Sequence, residues 1–125
     1  MFIIDTMSQQ PVYEQLVTQT ERYILLGVLN GGDAMPSVRR LSVKLSVNPN
    51  TIQKAYTELD RRGVLFSVPG KGCFVAENAK ELISLSGRKR IDELQRLLEE
   101  LRLAGITKHD VLNLLNNVFG EEDNK

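Results

Sequence analysis

The chain has 125 residues, 42% hydrophobic and 26% charged, with sixteen bases matched by sixteen acids. That suffices for one compact domain and an appended element, with the composition of a water-soluble protein. No apolar run nears the ~18 residues of a membrane span. The start lacks a signal peptide's basic and apolar regions, and Cys73 has no second cysteine to pair with. We therefore expect a cytoplasmic location and no membrane partner.

Net charge is zero, yet its distribution is uneven. Residues 1–34 hold one base and four acids (net −3), residues 35–75 seven bases and two acids (net +5), and the remainder eight bases and ten acids (net −2). A basic island between acidic flanks suits a local phosphate-binding face.

In chain order, Phe2-Ile3-Ile4 is a short β-prone run that predicts a small strand. "SQQP" breaks it, and Pro11 suits the first turn of a helix. Apolar residues then recur at roughly helical spacing from Val12 to about Gly27. "LNGGDAMPS" is a loop. Ser37 reads as the N-cap of a two-turn helix whose apolar face is Val38, Leu41 and Leu45. After "SVN", Asn48 caps a second helix and Pro49 falls at its first position, where a missing N–H costs nothing. Ile52, Ala55, Tyr56 and Leu59 form its apolar face, and Gly63 stops it.

Two short helices joined by a tight turn, the second free of acids through its first two turns, read as a helix-turn-helix over about 38–57. Residues 64–68 and 73–75 are β-prone, and Pro69-Gly70-Lys71-Gly72 joins them as a hairpin. A helix-turn-helix followed by a hairpin tipped with glycine and lysine is a winged helix, with its wing over about 64–75. From about Asn78 to Leu103 the pattern is helical again, with a break expected at Ser86-Gly87. Ile91, Leu94, Leu98 and Leu101 are spaced like a seam shared by two helices. Thr107 and Asp110 resemble a capping box opening a last helix with Val111, Leu112, Leu114, Leu115, Val118 and Phe119. "GEEDNK" is an acidic tail expected to fray.

The stretch from Pro11 to Ala76, with "YEQL", a Gly-Asp turn before "PSVRRL", "NTIQKAYTEL" and "GVL…GKG.FV", resembles the N-terminal winged-helix domain of GntR-family bacterial transcription regulators. The short C-terminal region is similar to the YtrA subgroup, where a pair of helices serves dimerisation and members often lie beside transporter operons. The resemblance implies that Arg39 meets DNA, that Thr51 heads the recognition helix and that Gly70 lies at the wing tip. Many family members carry arginine where this chain has Pro49 and Gln53, and glutamate where it has Arg40. The reading head is therefore more neutral than usual, and affinity leans on Arg39, Lys54, Lys71 and a second subunit.

The expected fold is thus mainly α with a small β-hairpin: a winged helix-turn-helix DNA-binding domain (1–76) followed by a two-helix dimerisation region (77–125). The candidate DNA-binding residues are Ser37, Arg39, Asn48, Asn50, Thr51, Gln53, Lys54, Gly70, Lys71 and Gly72. Asn and Gln pair well with adenine edges, and Arg and Lys with phosphates. The candidate dimerisation residues are Ile91, Leu94, Leu98, Leu101, Val111, Leu115 and Val118. The expected partners are operator DNA and a second copy of the chain. Tyr56 belongs to the core, with its hydroxyl in reach of a phosphate. Lone His109 reads as a surface residue and Cys73 as a small packing residue, so no metal site is expected. No nucleophile–base pair, Walker loop or dinucleotide fingerprint is present, so neither catalysis nor a cofactor is expected, and no effector pocket is indicated. The alternative function is a winged-helix protein-interaction module that binds no specific DNA.

Overall fold

The computed structural model describes residues 2–121. The chain divides into two compact units, Met1–Ser86 and Gly87–Lys125.

In the first unit, α1 (Val12–Leu25) starts at Pro11, which takes the N-cap place with ψ 151° and so precedes the first turn instead of lying in it. Glu14 in that turn complements the helix dipole. Leu16, Val17, Thr20 and Ile24 share its buried face, and the Thr20 hydroxyl is satisfied by the Leu16 carbonyl at 2.7 Å. The predicted strand at Phe2–Ile4 does not form. Phe2 packs its ring edge-on against Tyr23, at 5.6 Å between centroids. The backbone beside it finds side chains instead of a ladder: the Ile3 N–H donates to Gln19 Oε1, and the Asp5 N–H to Gln15 Oε1. Buried Gln15 also donates to the Asp5 and Gln10 carbonyls, and among the described residues no buried side-chain polar atom lacks a partner.

Helix α2 (Val38–Leu45) is capped by Ser37, whose hydroxyl accepts the Arg40 N–H at 3.1 Å. The chain then reverses through Ser46 in the left-handed region (φ 55°), tied by the Ser42 hydroxyl to the Val47 carbonyl. Helix α3 (Pro49–Arg61) opens at Asn48, whose Oδ1 accepts the Asn50 N–H at 2.8 Å, with Pro49 at its head. It buries Ile52, Ala55, Tyr56 and Leu59, the apolar face read from the sequence. Gly63, at φ 78°, turns the chain away from the helix end.

Strands β1 (Leu65–Val68) and β2 (Gly72–Val75) pair antiparallel, with Leu65 opposite Val75 and Phe66 opposite Phe74. Leu65 and Val75 point into the core, while the Phe66 and Phe74 rings lie 5.8 Å apart on the other face. The loop before α2 joins this sheet through a bridge between Ala34 and Phe74. Met35 donates to the Cys73 carbonyl and Gly32 to the Val75 carbonyl, both at 2.8 Å. Helix α4 (Ala79–Lys89) begins in this unit, where Ala79 and Ile83 are buried with the rest of the core. It runs without interruption through Ser86-Gly87. The break expected there occurs at Arg90 instead, because one glycine costs a helix only about 1 kcal/mol against alanine.

In the second unit, α5 (Ile91–Leu103) and α6 (Lys108–Phe119) bury no residue. The capping box at α6 forms as expected: Thr107 Oγ1 accepts the Asp110 N–H at 3.1 Å and Asp110 Oδ2 accepts the Thr107 N–H at 3.0 Å. Those bonds hold the Asp110 carboxyl below its ordinary range.

Candidate nucleic-acid interface

The surface built by α2, α3 and the β1–β2 wing concentrates cations. Arg39, Arg40 and Lys44 are exposed on α2, and Lys71 stands at the wing tip. Among the described residues none of the four side chains makes a hydrogen bond or an ion pair. Neither α2 nor α3 has an acid in its first turn, so the partial positive charge of each N-terminus is left unneutralised. Arg40 and Lys44 were absent from the candidate set; their exposure and lack of partners, invisible in the sequence, place them beside Arg39.

The ten candidate DNA-binding residues all fall on α2, α3, their caps or the wing, but their side chains differ in freedom. Ser37 and Asn48 spend an oxygen each as N-caps. Asn50 is exposed, and its side chain makes no hydrogen bond among the described residues. Thr51 is half-buried. Gln53 donates to Thr57 Oγ1 at 3.2 Å, one turn along the helix. Lys54 extends to α1, where its ammonium lies 4.0 Å from the centre of the Tyr13 ring. At the wing, the Lys71 N–H closes the turn on the Val68 carbonyl at 2.9 Å. Gly70 and Gly72 take φ 77° and 117°, backbone that a side chain would strain.

Other charges of the basic island are consumed internally. Glu58 binds both Arg61, at 2.6 Å, and Arg62, at 2.7 Å, and Arg62 also reaches Glu21 on α1 at 3.0 Å. Hydrogen bonds from Arg61 and then Arg62 hold the Glu58 carboxyl down at about 2. Tyr56 is a core residue, and its hydroxyl donates to the Pro36 carbonyl at 2.6 Å. Burial raises its pKa. Cys73 is half-buried in the wing, and burial pushes its thiol up, away from the thiolate a redox sensor needs.

The candidate dimerisation residues lie on α5 and α6. Ile91, Leu94, Leu98, Leu115 and Val118 are exposed, while Leu101 and Val111 are half-buried. His109 is exposed on α6. Among the described residues no cluster of His, Cys, Asp or Glu could hold a metal ion, and no helix is long and apolar enough to cross a membrane.

Residues 12–75 match the family model described as bacterial regulatory proteins, gntR family. The chain belongs to the GntR family. Members of that family are DNA-binding transcription regulators and not enzymes, and the expected winged-helix fold is the one observed here. The HTH-type transcriptional repressor YtrA of Bacillus subtilis is 37% identical over 108 residues, covering 85% of this chain and 82% of that protein. A crystal structure titled as a transcriptional antiterminator from Listeria monocytogenes EGD-e aligns at TM-score 0.75 and 33% identity, over 94% of this chain and 89% of that one. The AraR DNA-binding domain, solved in complex with operator ORX1, aligns at TM-score 0.53 and 30% identity. That match spans 59% of this chain and 92% of that domain.

Proposed function

We propose that this GntR-family chain is a cytoplasmic homodimeric repressor that binds an inverted-repeat operator. Its winged-helix part (1–76) would contact DNA and its C-terminal helices (77–125) would join two copies. The observation that carries the reading is the set of exposed cations Arg39, Arg40 and Lys44 on α2 and Lys71 at the wing, whose side chains have no partner among the described residues, together with an α3 start free of acids. Phosphate contacts from these residues fix the register, and Asn50, Thr51 and Gln53 meet base edges. Gly70 and Gly72 let the wing backbone approach the duplex closely around Lys71. The similarity to YtrA supports repression, and the operator complex of AraR supports the DNA-facing surface.

Dimerisation is supported by the uncovered apolar side chains of α5 and α6. Ile91 is 60% exposed, and Leu94, Leu98, Leu115 and Val118 are exposed with it. A second copy would cover them and place two reading heads on two half-sites. A transporter operon as target rests on the subgroup resemblance alone.

The test is selection of bound duplexes from random double-stranded DNA, followed by shift assays with Arg39→Ala and Gln53→Ala. Each substitution is expected to cost about 1–3 kcal/mol on the selected site. Leu98→Asp should convert a sedimenting dimer to monomer and weaken binding. Recovery of no specific duplex, with a stable complex formed with another protein instead, would overturn the reading in favour of an interaction module.

A further inference from the structure

Helix α1 supplies core side chains and also meets α3, the recognition helix, through two polar contacts in one register. An offset of 41 residues separates Glu21 from Arg62, and the same offset separates Tyr13 from Lys54. Lys54, Glu58 and Arg62 lie at i, i+4 and i+8 and so share one face of α3. The two helices therefore run side by side in the same direction over about 12 Å, two turns at 1.5 Å per residue. The far contact is an ion pair, Arg62 with Glu21 at 3.0 Å. The near contact, in the second turn of α3, is the Lys54 ammonium 4.0 Å from the Tyr13 ring centre.

The partner Lys54 takes is informative. Glu58 lies one turn along the same face, but it is already bound by Arg61 and Arg62. Lys54 makes no ion pair among the described residues and turns to the aromatic face instead. An ammonium on a ring keeps its full charge and leaves N–H donors free for a further acceptor. Lys54 is exposed, so those donors are open to solvent. The side chain reaches toward α1, one turn along α3 from Asn50.

We infer that Tyr13 is a positioning residue for DNA binding: its ring holds the Lys54 ammonium at the α1–α3 seam, where it meets a backbone phosphate and not a base edge. This inference rests on the DNA-binding reading above and assigns Lys54 a role within it.

The experiment uses the full chain and a duplex recovered by selection from random DNA, together with copies carrying single base-pair changes. Lys54→Ala should weaken binding by the same factor on every duplex and lower the slope of log affinity against log salt by about 1. Tyr13→Leu, which keeps apolar volume but removes the ring's charge distribution, should weaken binding about two- to fivefold, the equivalent of an exposed cation–π contact. Tyr13→Phe, which keeps the ring, should retain the binding that Tyr13→Leu loses. In the Lys54→Ala background, Tyr13→Leu should have no further effect, and thermal melting of each variant establishes that it is folded.

The inference is overturned by a change of base preference at one position in Lys54→Ala, by an unchanged salt slope, or by an equal loss from Tyr13→Leu in both backgrounds. Recovery of no duplex overturns the DNA-binding reading and this inference with it. A recovered duplex with any of those three results overturns the inference alone.

Discussion

Removing a single oxygen at Tyr56 tests how the core holds the interface in place. The Tyr56 ring is 6% exposed, and its hydroxyl donates to the Pro36 carbonyl at 2.6 Å, one residue before the Ser37 cap of α2. Tyr56→Phe keeps the ring and opens no cavity beyond the hydroxyl. Pro36 is only half-buried, so its carbonyl can recover a water. The expected cost is therefore the net value of one hydrogen bond, about 1 kcal/mol. For a folding unit of roughly 60–100 residues that corresponds to a loss of about 4–8 °C in Tm. Tyr56→Ala, which also removes the ring, should cost about 3–5 kcal/mol.

Urea unfolding at neutral pH measures both, with an unchanged m-value expected for the Phe variant. Burial, with a smaller contribution from Cys73, raises the Tyr56 pKa above its unfolded value near 10. A raised folded pKa means the stabilisation is fully present below about pH 10 and is lost as pH rises toward the folded value. The parent should therefore lose stability in alkali more steeply than the Phe variant. Equal stabilities at neutral pH, or parallel alkaline limbs, would refute the assigned bond.

Two further outcomes follow from the interface geometry. Arg61 and Arg62 depress the Glu58 carboxyl from 4.5 to about 2, so its stabilising contribution is present above about pH 4.5 and lost as pH falls toward 2; Glu58→Gln should flatten the acid limb of a stability–pH curve, and superimposable limbs would rule the network out as a source of stability. Asn48→Ala should cost about 1 kcal/mol by uncapping α3, whereas Asn48→Asp, which also caps, should cost far less; urea midpoints that rank the two the other way would show that the cap is not what Asn48 supplies.

The local signals legible in the sequence were those that act over one helical turn. Ser37, Asn48-Pro49, Gly63 and Thr107–Asp110 each announce a helix boundary through their own backbone chemistry, and each stands where it was expected. The apolar spacing of Ile52, Ala55, Tyr56 and Leu59 likewise fixed the buried face of α3. What the sequence hid depends on partners far along the chain. Phe2–Ile4 has strand propensity but no strand to pair with; Gln19 takes the Ile3 backbone instead, and Gln15 that of Asp5 just after it. Gly87 looked like a stop, although a helix anchored by Ala79 and Ile83 carries one glycine easily. At the interface, residue types marked Arg39 and Lys71, but only the fold separates Arg40 and Lys44, whose side chains have no partner among the described residues, from committed Arg61 and Arg62. Nothing in the spacing of Tyr13 and Lys54 announces that they touch.

Helices α5 and α6, of 13 and 12 residues, bury none of their side chains. Isolated helices of this length are marginal in water, because little packing offsets the entropy of ordering them. In the proposed homodimer their order would be set by mass action: the second copy must be present at sufficient concentration before the helices are worth forming. Diluting the protein should lower its far-UV helical signal while the first unit, with its own core, stays folded. In that reading association and the completion of folding would be a single event, so the number of chains in the cell would govern how many exist in finished form.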